Sequence, residues 1–302
     1  MKHRIKATLA VLIFMLTSVP VEDVAAQAPP AARRTSVAVL DFGETNTGKR
    51  AADKLAATLA ANAEFALADR DESRAAARGS GYKGSLNLTL TEARDLGAAL
   101  GCDFYVTGEA QTVRRLPSDK PAYYEAYASL FLVSTRTGRL VMWQGPGFEA
   151  ASPEAAEKLL LASLGSEETR YHFLVATRRA QEDERNERLR ALEHPSPLIE
   201  DAPDEGSPAA AGLRLPAPYR RLQPAYPDSA ARLGVEAVVD VLVEIDAAGE
   251  VGRVDVVRWA GHGLDEASVS TVRQLHFRPA MRDGVPVPLR VLLRYNFRRP
   301  QK

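Results

Sequence analysis

Ser36 to Phe42 reads Ser-Val-Ala-Val-Leu-Asp-Phe, an apolar run with the length and β-branched content of a buried strand. A glycine-bounded turn, Gly43 to Gly48, leads into a helical pattern over 49–61, where Leu55 and Leu59 are four apart among alanines. A short strand is expected at 65–69 and a short helix at 71–78, closed by Gly79 and Gly81. Thr91 is placed to cap a helix over 92–100, with Gly101 just past its end. A strand over 103–110 follows. A hairpin then pairs 122–134 with 139–144 around the turn Thr135-Arg136-Thr137-Gly138. Helices and strands alternate first and a hairpin comes last, which predicts a small α/β domain with a mixed sheet over 35–150.

Polarity changes after Ser152-Pro153, a serine cap with proline in the first turn. Leu159, Leu160, Leu161 and Leu164 give the start of the 151–193 helical segment a face to pack. Beyond Glu167 the pattern stays helical but becomes charged with both signs, as in a solvated strut. Residues 194–218 are rich in Pro, Ala and acidic side chains and lack periodicity, so they read as a semi-extended linker reaching roughly 75 Å at most.

Regular alternation returns in 219–300. Pro224 and Pro227 stiffen the segment around Tyr226, and 228–233 is a short helix ended by Gly234. Ala237, Val239, Val241 and Val243 form one apolar face of a period-two strand. Asp246 to Gly249 turns the chain into a second strand over 251–258. A helix over 264–275 and a last strand over 287–297 complete a three-stranded antiparallel sheet with helices, an α+β arrangement.

The chain has 302 residues, with thirty-nine basic and thirty-nine acidic side chains, a balance that argues against nucleic acid or bulk membrane-surface binding. Residues 1–28 read as a targeting segment: Lys2, His3, Arg4 and Lys6 precede an apolar core broken by Pro20 and small residues suited to cleavage. The core is about thirteen residues, short of the roughly twenty that cross a bilayer. A cleaved secretory signal is therefore preferred to a short retained anchor, and membrane contact is expected only if the segment is kept. Cys102 is the sole cysteine, so it forms no disulfide within the chain and reads as a small buried residue.

Candidate chemistry is thin. Gly43 to Arg50 sits between a strand and a helix like a phosphate-binding loop, but Arg50 stands where a magnesium-binding hydroxyl is needed. Ser80 and Lys83 have the spacing of a serine acyl-transfer motif without its companion motifs. Five scattered histidines, His262 and His276 among them, show no metal-ligand spacing and read as surface or interface residues. Asp41 reads as a turn or cap acceptor. No catalytic residue, metal ligand or cofactor is expected.

The order Gln223-Pro224-Ala225-Tyr226-Pro227, the strand 235–245, Asp246 to Gly249, Gly263 to Ala267, Phe277-Arg278-Pro279-Ala280 and the alternating run to Phe297 resembles the C-terminal domain of TonB-family energy transducers. Val37 to Phe42, Leu67 to Arg70, Asp103 to Gly108 and Ser134 to Arg139 resemble the envelope family of CsgG, FlgO, LpoB and the TolB amino-terminal domain. These resemblances imply a non-enzymatic periplasmic protein, or one anchored in the inner membrane and facing the periplasm. Its partner would be an outer-membrane receptor or other envelope protein, bound by strand addition, with TonB-dependent transport as one setting the resemblance implies. The implied contact residues are Gln223, Pro224, Tyr226, Pro227, Arg290, Leu292, Arg294, Tyr295 and Phe297. Arg290 and Arg294, with Arg298 and Arg299, would make the edge basic and either suit an acidic partner or simply guard an open edge against aggregation. An alternative is an envelope assembly factor that forms homo-oligomers through its first domain. The linker is far shorter than that of an energy transducer.

Overall fold

The computed structural model describes residues 33–118, 121–193, 199–204 and 206–299. The expected targeting segment, 1–28, and the start of the linker, 194–198, lie outside them. Strand β1 (Thr35–Val39) runs through α1 (Asn46–Ala60) to β2 (Phe65–Leu67), then α2 (Arg70–Gly79) and α3 (Leu90–Leu100). Strands β3 (Phe104–Arg115), β4 (Tyr123–Ser134), β5 (Leu140–Gln144) and β6 (Gly147–Ala150) follow, then α4 (Pro153–Leu164) and α5 (Glu167–Glu193). The sheet order is β2-β1-β3-β4-β5, with β6 also on β4. Pairs β1–β2 and β1–β3 are parallel and the rest antiparallel, so the sheet is mixed as expected.

Period-two alternation sorts this sheet's side chains into two cores. Val37, Val39, Val106, Leu130 and Leu132 face Leu55 and Leu59 of α1, Leu160 and Leu164 of α4, and Phe173 of α5. Ala38, Leu40, Tyr105, Phe131 and Val133 face the other way, toward Ala77 of α2 and Ala93 and Leu96 of α3.

Three expectations for this half change. The cap of α3 is Thr89, not Thr91: Thr89 Oγ1 accepts from the Glu92 amide while the Thr89 amide donates to Glu92, a reciprocal capping box. Strand β3 runs on to Arg115, because β4 offers it a partner along its whole length. The charged half of α5 is more than a solvated strut. Glu184 accepts from Ser134 Oγ and Arg136, and Glu187 from Arg139, so α5 grips the 134–139 turn.

The second half contains β7 (Leu213–Arg214), β8 (Ala217–Pro218), α6 (Asp228–Leu233), β9 (Ala237–Ile245), β10 (Val251–Arg258) and α7 (Leu264–Val272). Strands β11 (Phe277–Arg278), β12 (Ala280–Arg282), β13 (Val285–Val287) and β14 (Leu289–Phe297) complete it. The main sheet is β10-β9-β14, antiparallel throughout. Its core joins Val239, Val241, Val243 and Ile245 to Leu264, Val272 and Leu275. The last strand is shorter than its alternation implies, since 280–287 folds as a separate hairpin around Asp283-Gly284, both at positive φ.

The stretch read as a semi-extended linker is tied down where it is described. Strand β7 pairs with β12 and β8 with β11, while Asp201 bridges to Arg290 of β14. The described residues from Arg34 onward form one compact unit. Trp259, 1% exposed, leaves the end of β10 and enters the core of the first sheet beside Phe131. Its Nε1 donates to Gly138 O at 3.0 Å and its amide to Leu88 O at 3.1 Å. Asn87 clamps the junction: its Nδ2 donates to Val238 O and Trp259 O, both at 2.7 Å, and its Oδ1 accepts from the Val238 amide.

Candidate functional site: the open edge of the C-terminal sheet

Strand β14 is the outer strand of the β10-β9-β14 sheet. The Arg290 amide and carbonyl point away from β9, toward residues 200–202. Strand periodicity therefore turns the backbone groups of Leu292, Arg294 and Asn296 outward as well. The side chains of Val291, Leu293 and Tyr295 pack toward the core, while Leu292 is 52% exposed. An edge with outward amides and carbonyls is a template for an added strand.

Beside this edge lies a recess of about 430 Å³. Leu222, Gln223, Leu275 and Phe277 line it together with Leu293 to Asn296 of β14. Gln223 is exposed and joins Arg221, Arg294 and Asn296 as a polar group of a lining that also carries Leu222, Leu275, Phe277 and Leu293. Tyr295 sits partly buried, and that burial pushes its hydroxyl above the ordinary tyrosine range, so it stays a neutral donor.

Sequence and structure place the nine candidate contacts unevenly. Gln223, Arg294 and Tyr295 converge on the recess, and Arg290 and Leu292 lie along the same edge. Tyr226 is half-buried: its Oη donates to Val235 O at 2.6 Å, and its ring lies 6.3 Å from that of Phe297. Phe297, 7% exposed, belongs to the core. Pro227 supplies the extended residue before α6 and packs close to Gly263, while Pro224 is half-buried in the segment between.

The basic character expected of this edge is largely spent within the chain. Arg294 donates to both oxygens of Asp240, at 2.7 and 2.9 Å, and Arg258 approaches the same carboxylate at 3.4 Å. Asp240 is cross-strand to Arg294 and to Arg258, so one buried carboxylate in the central strand serves both neighbours. Arg290 donates to Asp201 at 2.5 Å, and that bond holds the Asp201 carboxyl below its usual range. Spacing alone could not reveal these acids, because each becomes a neighbour only through strand pairing.

Residues 222–298 match the sequence profile of the Gram-negative bacterial TonB protein C-terminal family. This stretch is a TonB C-terminal domain. Protein TonB of Vibrio cholerae serotype O1 is 30% identical over 79 residues, which is 26% of this chain and 32% of that protein. The chain thus spans about a third of the length of that relative. The solution structure of the Pseudomonas aeruginosa TonB C-terminal domain matches at 21% identity and a TM-score of 0.25, covering 32% of this chain and 96% of that one. The C-terminal domain of LpoB from Salmonella enterica matches at 16% identity and a TM-score of 0.27, covering 39% of this chain and 85% of that one.

The other candidate sites resolve into structure. Asp41 is held by Arg70 and Arg74 of α2, at 2.5 and 2.9 Å. Across 43–50 the helix α1 already starts at Asn46, with Thr45 as its cap; Arg50 pairs with Glu157, and a Cβ at Gly48 would stand 2.1 Å from Phe42 O. Ser80 Oγ donates to Ala77 O at the end of α2, so it serves the helix. Burial pushes the Cys102 thiol up to about 11, far from a reactive thiolate. A larger recess of about 620 Å³ lies between β5 and α5, lined by Met142, Trp143, Tyr171 and Val175, away from every candidate contact. Among the described residues there is no cluster of metal-ligating side chains, and no helix is long and apolar enough to cross a membrane.

Proposed function

We propose that this chain is a non-enzymatic docking protein of the bacterial periplasm. It captures an extended segment of an outer-membrane receptor or other envelope protein along the open edge of β14. The observation that carries this reading is the coincidence of three features in one place: the TonB C-terminal match, an edge strand with outward backbone groups at Leu292, Arg294 and Asn296, and the recess lined by Gln223 beside it. Backbone pairing would supply affinity and the recess selectivity for one side chain of the added strand. The junction through Trp259, buried in the core of the first domain, supports a fixed orientation for this edge.

The test is site-specific photocrosslinking. A photoreactive side chain at Asn296 should link to a TonB-dependent receptor in outer-membrane vesicles, and one at Tyr171 on α5 should not. Adding Leu292→Pro, which removes an outward amide without touching the pairs to β9, should reduce the Asn296 crosslink at least ten-fold. An undiminished crosslink, or an equal one from Tyr171, overturns the reading.

A further inference from the structure

The chain supplies its own short strand to the edge just described. The Arg290 amide donates to Glu200 O at 2.8 Å, and the Ala202 amide donates to Arg290 O at 2.7 Å, which makes a parallel bridge between Asp201 and Arg290. Two ion pairs reinforce it: Arg290 with Asp201 at 2.5 Å and Arg282 with Glu200 at 2.7 Å. The pairing ends there, for none of the backbone bonds continues from Ala202 to Leu292 among the described residues. Pro203 follows at once, and its missing amide denies a further strand one donor on the outer side of residues 200–202. The segment therefore takes the first outward position of β14, leaving Leu292, Arg294 and Asn296 uncovered.

We propose that residues 200–202 are a built-in strap that closes the start of the β14 edge, so that a partner peptide pairs freely with Leu292 to Asn296 but must displace the strap to reach Arg290. This rests on the docking reading above. The strap is suited to displacement. Its ion pairs are solvent-exposed, where such pairs contribute little, and only two backbone bonds hold it. It is also suited to return, since β7 pairs with β12 nearby and keeps the strap at high local concentration. Its acidic side chains opposite Arg290 and Arg282 show the chemistry that this end of the edge accepts: an extended segment with adjacent carboxylates, running parallel to β14.

The experiment uses the full chain in two forms, wild type and an opened variant carrying Ala202→Pro and Asp201→Ala. The first change removes the donor to Arg290 O and the second removes the ion pair. The probe is a fluorescent synthetic peptide that copies residues 199–204. It should bind the opened chain at least ten-fold more tightly than wild type, and Arg290→Pro in the opened chain should abolish that binding. The Arg290 amide should exchange with solvent about ten-fold faster in the opened chain, while the Val291 amide, paired to β9, stays protected. Equal peptide binding by the two forms, or an Arg290 amide in wild type that exchanges as fast as that of Leu292, overturns the strap. If the Asn296 crosslink to the receptor persists in that case, only the strap is lost. If the crosslink fails while the strap opens as described, the docking reading falls and with it the strap's role as a gate.

Discussion

His262 shows at the residue scale what burial does to a titrating group. It sits at positive φ, 3% exposed, with its ring 4.7 Å from Trp143 and 5.6 Å from Phe131. Burial, with a smaller push from Arg232, lowers its pKa to about 4, so the imidazole is neutral in the folded chain. A depressed histidine contributes stability that is full above its unfolded value of 6.5 and is lost as pH falls toward 4. Asp265, three residues on, works in the opposite sense. Burial raises it to about 7, against the pull of the Ala260 and Gly261 amides that donate to it and with a small push from Glu266. Its contribution is full below about 4 and is lost as pH rises through 7. The two slopes oppose each other between about pH 4 and 6.5. His262→Phe keeps a ring between Trp143 and Phe131 but removes the proton site. Relative to wild type, the variant should gain up to about 2–3 kcal/mol at pH 4.5 compared with pH 7.5. Denaturant unfolding at the two pH values measures this, and a difference that does not change with pH counts against it.

Parity decides what an edge strand tolerates, which makes β14 the sharpest case at the element scale. Leu293 turns its backbone toward Val241 of β9, and Leu292 turns its own outward. Leu293→Pro should remove a ladder bond and cost about 3 kcal/mol or more, while Leu292→Pro should be tolerated at the edge. Thermal unfolding of the two variants separates them, and equal losses would mean that the parity is wrong. The existence of β14 was legible in its alternation, as were β9, the Gly234 stop of α6 and the mixed first sheet, because each is a local, periodic pattern. The hairpin of β12 and β13 was not, since strands of three residues carry too little alternation to stand out from a longer run. Nor was the pairing of β7 and β8, whose Pro-rich sequence resembles a tether until β11 and β12 are there to receive it. Of the candidate contacts, Gln223 and the β14 residues were named from motif order, and the structure sets Gln223 beside the recess and the others along β14. The acids that neutralise Arg290 and Arg294 could be found only from the fold, because Asp201 and Asp240 lie far from them in sequence.

Among the described residues, two rings of the C-terminal half, Trp259 and His262, cross to the first sheet, and Trp259 is the larger. Trp259 is fully buried among Leu40, Leu88, Tyr105 and Phe131, all of the first domain, while its backbone belongs to the TonB C-terminal domain. Gly261 lets the chain turn there at φ +65, and a Cβ on it would meet Phe131 at 2.5 Å. Arg253 extends the junction by reaching Glu187 of α5 at 2.8 Å, the same carboxylate that Arg139 holds at 2.7 Å. Exposed pairs of this kind contribute little beside the buried tryptophan. Trp259→Ala should therefore cost about 3–5 kcal/mol through lost burial and the cavity left behind. It should also strand Gly138 O without its donor. The consequence for function is distinct from the loss of stability. With the plug gone, the two domains should tumble independently in solution and report separate rotational correlation times by NMR relaxation, where wild type reports one. Trp259→Phe restores most of the apolar volume and should restore single-body tumbling while still lacking the bond to Gly138. If the alanine variant tumbles as one body, the orientation of the β14 edge is set by some other contact, and the fixed presentation argued for this protein would have to rest on Asn87 instead.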